Sequence, residues 1–262
     1  MPLSTDMINV ALFLFAEQNV MIKRLIYKSE KHKRGQSFLE LSFVLLILAL
    51  VLAGVVEYGF MINNYLHVLG GSREAARVYN SYSAFNPDGT TINAFYYRTV
   101  EQAATTMSPV MLDPSLGDDI IVSVFSVAGA SVRRFPLVGG GASSNGWSLC
   151  ANYAEYKAPY AAQGKLPPPE LSADGWNHCP AHGSRLSDAE ISERIGAGPH
   201  ASQSGLLLVE ILYNYPQILK LPLFTNSDFF GVKFSIIPDP IPLYVYTIMP
   251  ISSAEPTQGY GP

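Results

Sequence analysis

Sixteen consecutive residues, 41–56 (LSFVLLILALVLAGVV), carry no charge, and an acid closes the run at each end, Glu40 before it and Glu57 after it. Taken with its flanks as one helix, residues 38–62 make 25 residues. At about 1.5 Å per residue that is about 37 Å, enough to cross a hydrocarbon core of about 30 Å with the two acids near opposite interfaces. Apolar residues lie all round such a helix rather than in a stripe, which favours a lipid span over a core helix packed on one side. An apolar content of 48% excludes wholesale disorder, and 262 residues leave room for a sizeable domain beyond the span.

The formal net charge of −4 hides an asymmetry. Residues 1–34 carry Lys23, Arg24, Lys28, Lys31, Lys33 and Arg34 against Asp6, Glu17 and Glu30, a net +3, which leaves −7 for residues 35–262. Basic residues crowded on one flank of a span hold that flank in the cytoplasm, so the N-terminus is expected inside and the chain beyond about residue 63 exported. Tyr58, Tyr65 and His67 fit the outer headgroup level. No basic patch interleaved with aromatics follows downstream, so nucleic-acid binding has no support.

A secretory signal has an apolar core of about 7–15 residues and a small-residue cleavage site on its far side. This run is longer, and its far side reads Glu57-Tyr58-Gly59-Phe60-Met61, without an Ala-x-Ala-like pair. The helix is therefore expected to stay as an anchor. An alternative cut lies ahead of it, at Gly35. A carboxylate close to hydrocarbon costs a few kcal/mol, so Glu40 needs a reason and a partner. Cleavage after Gly35 would expose a new amine on Gln36, the counter-charge that a carboxylate four residues on requires. Residues 7–16 are apolar but too few to span, whereas residues 21–35 make a compact basic leader of 15 residues, so translation is expected to begin at Met21.

Gly35 followed by Gln36-Ser-Phe-Leu-Glu40, the leucine-rich run, Gly54-Val-Val-Glu-Tyr-Gly-Phe60 and Ser72-Arg-Glu-Ala-Ala-Arg77 together resemble the TadE-like family of pilus-assembly proteins, pseudopilins of the tight-adherence (Flp) system. The likeness covers residues 34–78. It implies a prepilin peptidase of the inner membrane that cuts after Gly35, with Glu40 as the fifth mature residue, and pilin or TadE-like subunits as partners. Leu41 stands where the major Flp pilins carry tyrosine, and the chain is far longer than theirs. The resemblance is thus to a minor, TadE-like subunit, single-pass in the inner membrane with its C-terminal domain outside, and possible incorporation in the pilus follows from the same likeness.

Beyond the span, Leu66, Leu69, Ala76 and Tyr79 keep helical spacing, with Arg73, Glu74 and Arg77 between them, so residues 63–80 are predicted as an amphipathic helix. Gly70-Gly71 is a soft spot at which it can bend. Its polar face suits either a neighbouring subunit or a solvated position above the domain's own sheet. Asn86-Pro-Asp-Gly89 marks a turn, residues 94–107 a second helix, and residues 119–127, 205–215, 233–237 and 243–248 strands. In the second of these strands Val209, Ile211, Tyr213 and Tyr215 alternate with Glu210, Leu212 and Asn214. The fold class expected is α+β: a long N-terminal transmembrane helix continuing into an amphipathic helix that packs on a small antiparallel sheet. The domain plan is a leader at 1–35, the span at 36–62 and an exported pilin-like domain at 63–262.

Residues 136–204 change character, with Gly139-Gly-Gly-Ala-Ser-Ser-Asn-Gly146, Pro167-Pro-Pro169 and Gly196-Ala-Gly-Pro199, and read as a loop-rich insertion. It holds the only two cysteines, Cys150 and Cys179, which an oxidising compartment would join, closing a loop of about 30 residues worth about 3–4 kcal/mol in lost unfolded-state entropy. His178, Cys179 and His182, with Cys150 and His200, can also be read as a zinc site, but the spacing matches no standard finger and Pro180 opposes a helix that would align the histidines. No metal or cofactor is expected. Gly-x-Ser-x-Gly, phosphate-loop and His-Glu-x-x-His motifs are absent, and Asp118-Asp119, Glu190 and Glu193 read as solvated surface, so the expectation is a non-enzymatic protein. Two alternatives stand beside the pseudopilin: a signal-anchored extracytoplasmic binding module or hydrolase without a pilus role, and a minor pseudopilin of a type II secretion system.

Overall fold

The computed structural model describes residues 5–86, 91–128, 131–138, 142–143, 145–172, 174–195, 204–220, 227–229, 232–234 and 238–251. The chain forms two compact units, Met1–Val56 and Glu57–Pro262. Helix α1 (Thr5–Tyr79) supplies the first unit and opens the second. In the second unit α2 (Asn93–Met107) follows, then β1 (Asp119–Ala128), β2 (Ser131–Phe135), β3 (Leu137–Val138), β4 (Ala142–Ser143) and β5 (Trp147–Ser148). After these come α3 (Leu149–Ala162), α4 (Asp188–Arg194), β6 (Ser204–Tyr215), β7 (Ser227–Phe229), β8 (Val232–Phe234) and β9 (Ile241–Ile251). The result is an α+β fold on a five-stranded antiparallel sheet of order β2-β1-β6-β9, with β5 pairing a further part of β1. Strands β3–β4 and β7–β8 form separate pairs, so the strand expected at 233–237 lies off the main sheet, and residues 235–237 fall outside the described residues. So do residues 87–90 of the expected turn, 139–141 and 144 of the glycine-serine run, and 196–199.

Branched and aromatic side chains suit β1 and β6 to a pleated surface, and here both faces of that surface are covered. On one, Ile120, Val122, Val124, Val209 and Ile211 share a core with Val68 and Ala75 of α1, Val100 and Ala103 of α2 and Tyr153 of α3. On the other, Phe125, Val127, Leu206 and Leu208 pack with Leu186 and Ile191 from the segment ending in α4. The apolar-polar alternation in β6 therefore does not mark a wet face. Glu210 is fully buried and its carboxylate accepts hydrogen bonds from the Arg185 N–H at 2.9 Å and the Tyr244 hydroxyl at 2.6 Å. Arg134, also buried, donates to Asp188 at 2.8 Å and to the Leu186 carbonyl, and lies 4.8 Å over the Phe125 ring, which clamps this segment on the sheet.

The stretch expected to be loop-rich holds two helices. Along α3, Leu149, Tyr153 and Tyr156 recur at helical spacing and are buried, while Ser148 caps it by accepting from the Ala151 N–H. Ser187 and Glu190 make a reciprocal capping box for α4. Cys150 and Cys179 are joined. The expectation that Asp118 and Asp119 are solvated surface is wrong: both are fully buried. Asp118 accepts from the N–H groups of Asp113 (2.7 Å) and Asn214 (2.6 Å), and Asp119 from the Ser148 hydroxyl (2.6 Å), the Cys150 N–H (3.1 Å) and the His182 N–H (3.3 Å). These two carboxylates satisfy the backbone where three segments meet at the start of β1, and Asp119 holds both arms of the disulfide loop.

Gly70-Gly71 is not a bend, since α1 runs through it. A Cβ on Gly71 would lie 2.3 Å from Met107 Cγ and 2.8 Å from the Ala103 carbonyl oxygen, so this glycine lets α1 and α2 touch backbone to side chain. Nothing lies within 4 Å of the equivalent position on Gly70. We expect Gly71→Ala to destabilise the protein by about 1–3 kcal/mol through overpacking and Gly70→Ala to stabilise it by about 0.5–1 kcal/mol, read as opposite shifts of the thermal unfolding midpoint in detergent.

Burial pushes the Asp118 carboxyl up from 3.8 to about 6, with its two N–H donors pulling the other way, and burial also raises Asp119. The unfolded chain releases the Asp118 proton near pH 4 and the native one holds it to about 6, so the associated stability is full below about pH 4 and is lost as pH rises through about 6. Two pKa units correspond to about 3 kcal/mol. In urea unfolding, the stability of the wild type relative to Asp118→Asn should fall by about 2–3 kcal/mol between about pH 3.5 and pH 7.5; a pH-independent difference would contradict the assignment.

Candidate functional site

In the first unit the uncharged run is bare. Phe38 is 73% exposed, Leu48 65% and Val55 64%, and the exposed side chains point in all directions around the helix. Within α1, Ser37–Tyr79 is long and apolar enough to cross a membrane. Leucine, valine and isoleucine left uncovered on this scale need a lipid or helical environment, because water would exact the hydrophobic cost of every side chain. Glu40 is exposed near the start of this surface. Gly35 and Gln36 lie within the bounds of α1, ahead of the described side chains.

The second unit opens with the other acid of the run. Glu57 Oε1 accepts hydrogen bonds from the Tyr215 hydroxyl and the Ile218 N–H, and Oε2 from the Leu219 N–H, each at 2.8 Å. Three donors answer most of the accepting capacity of one carboxylate. Burial, and the Glu57 carboxylate beside it, push the Tyr215 hydroxyl up, so it stays a donor. Two further polar contacts continue along the same helix: Asn64 donates to the Tyr213 hydroxyl at 3.3 Å, and the hydroxyls of Ser72 and Thr247 meet at 2.8 Å. Steps of seven and eight residues keep Glu57, Asn64 and Ser72 on one side of the helix, the side that Val68, Ala75 and Ala76 bury. Asn64 and Ser72 meet the sheet, whereas Arg77 is exposed and pairs with Glu74 one turn away.

Sequence reasoning placed Glu57 only at an interface and missed its partners, which lie 158–162 residues away. The available signal was the acid itself, set at the end of an uncharged run where a charge needs donors. Of the residues considered for zinc, both cysteines are spent in the disulfide, His178 is exposed, and His182 uses its backbone N–H on Asp119. His200 lies outside the described residues. Among the described residues no three His, Cys, Asp or Glu side chains are grouped to hold a metal ion.

The second unit therefore presents a structural junction at Glu57, and the first an apolar surface with an acid near its start. No curated protein and no solved structure matches the chain. Residues 35–77, which run from the glycine of the proposed cut through the uncharged run to the Glu74–Arg77 pair, match the family model described as TadE-like protein, and over that segment the chain is TadE-like.

Proposed function

We propose that this protein is a membrane-anchored minor pseudopilin, acting in the assembly, initiation or anchoring of a Tad/Flp-type pilus after a prepilin peptidase removes the leader at Gly35. One observation carries the reading: the TadE-like match at 35–77 contains the uncharged run 41–56, whose apolar side chains are exposed around the helix. A surface of that kind serves equally to cross the inner membrane and to pack beside other pilin helices. The basic residues ahead of it favour a cytoplasmic leader at 1–35, a span at 36–62 and an exported domain at 63–262.

Glu40 supplies registry in this reading. Removal of the leader gives Gln36 an amine, and a carboxylate on a neighbouring subunit's helix meets it where both are shielded from water. Charges of opposite sign in a low dielectric are expensive apart and satisfied together, so the pair fixes the axial offset between helices. No chemistry is asked of Glu40, only position.

Gly35→Ala should block processing, leaving the protein at the lower gel mobility of the heavier, uncut form; N-terminal sequencing that still begins at Gln36 would contradict the site. Glu40→Gln should insert into membranes normally yet lose assembly, since leaving one member of a shielded pair alone costs about 3–5 kcal/mol. Normal piliation by that variant would count against the registry role.

A further inference from the structure

The Glu57 junction does more than hold a helix on a sheet, because of what it brings alongside. We propose that the loop at residues 216–220 is a second membrane contact, seating Ile218 and Leu219 in the lipid boundary next to the helix. The inference rests on the reading of residues 38–62 as a span.

Depth comes from counting. A hydrocarbon core of about 30 Å takes about 20 helical residues, so a core entered at Phe38 is left at about Glu57. The N–H groups of Ile218 and Leu219 lie 2.8 Å from that same carboxylate, so the loop stands at the level where hydrocarbon gives way to headgroups. The side chains there suit that level. Ile218 is 54% exposed and Leu219 39%, and the residue after them is an exposed lysine, Lys220, whose long stem lets the ammonium reach lipid phosphates. On the helix, Tyr58 and Phe60 are exposed as well, and tyrosine is a residue of membrane interfaces. Charge does not forbid the placement, since the acid in it accepts three hydrogen bonds from its own chain. A bilayer is therefore the occupant that the depth, the apolar pair and the flanking cation jointly select.

The test uses the full chain in vesicles of phosphatidylcholine and phosphatidylglycerol. Ile218→Cys is labelled with an environment-sensitive fluorophore; the native cysteines are paired and do not compete. Leu48→Cys, in the middle of the run, is labelled in parallel, and Leu219→Cys serves where the first variant folds poorly. The expected result is a blue-shifted emission at 218, quenched more by spin-labelled lipid carrying the label near the headgroup than by lipid carrying it near the acyl terminus, with the opposite preference at 48. Replacing Glu57 by Ala in the labelled protein should shift the emission at 218 back toward the aqueous value. A label at 218 open to aqueous iodide, while that at 48 is quenched by lipid, overturns the loop contact and leaves the span standing. Labels at both positions open to iodide overturn both. A label at 218 shielded from lipid and iodide alike means that protein covers the loop, which also overturns the proposal.

Discussion

The carboxylate of Glu57 is the constraint on which the folded unit depends. It stands at the first residue after sixteen without charge, where an unanswered acid would cost more than almost any other side chain could. Its three donors are not interchangeable surface groups. Tyr215 ends β6, the strand that pairs with both β1 and β9, and the two N–H groups belong to the chain just beyond it. Satisfying one charge therefore fixes the helix against the best-connected strand of the sheet. Asn64 and Ser72 repeat the contact further along, and Gly71 sets the distance to α2 on the way. Hydrogen bonds define the register of this packing, and the apolar core around Val68, Ala75 and Val100 supplies most of its stabilisation.

A sheet covered on both faces needs polar groups that terminate its strands and bind its outer layers without water. Asp118, Asp119 and Glu210 do this as acceptors, and Arg134 as a donor. Each replaces solvent with hydrogen bonds inside the chain, and Asp119, Glu210 and Arg134 connect the sheet to the segment between β5 and β6. That arrangement explains how a stretch rich in glycine and proline still forms an ordered layer. The disulfide closes its loop in sequence, while Asp119 pins both of its ends, through Cys150 and His182, to the start of β1.

Much of this was legible in the sequence, and the failures have two physical causes. The span, the two helices at 63–80 and 94–107 and the strands at 119–127, 205–215 and 243–248 follow from periodicity, because local patterns express which face of an element is apolar. Helix α3 was hidden because the punctuating glycines and prolines around it dominated the reading, although Leu149, Tyr153 and Tyr156 keep a helical interval and Pro159 lies inside the helix itself. Asp118 and Asp119 were misjudged for a different reason. Whether an acid is solvated or buried depends on donors that arrive from distant segments, and no local window contains them. Gly35, Gln36 and Glu40 are proposed from a motif of fixed spacing, whereas no motif pointed to the partners of Glu57.

The two acids that bracket the run thus obey one physical rule in different ways. Glu57 sits where a folded domain can reach it, and the domain supplies its donors within the same chain. Glu40 sits near the opposite end of the run, 17 residues earlier, or about 25 Å along a helix, too far for any group that answers Glu57 to answer it as well. In the proposed pseudopilin reading Glu40 meets the amine that processing creates on a neighbouring subunit's Gln36. Internal satisfaction of Glu57 ties the part of the helix that opens the second unit to the end of β6 and the chain just beyond it. In that reading, satisfaction between subunits at the other end would give an attachment that forms only when helices line up.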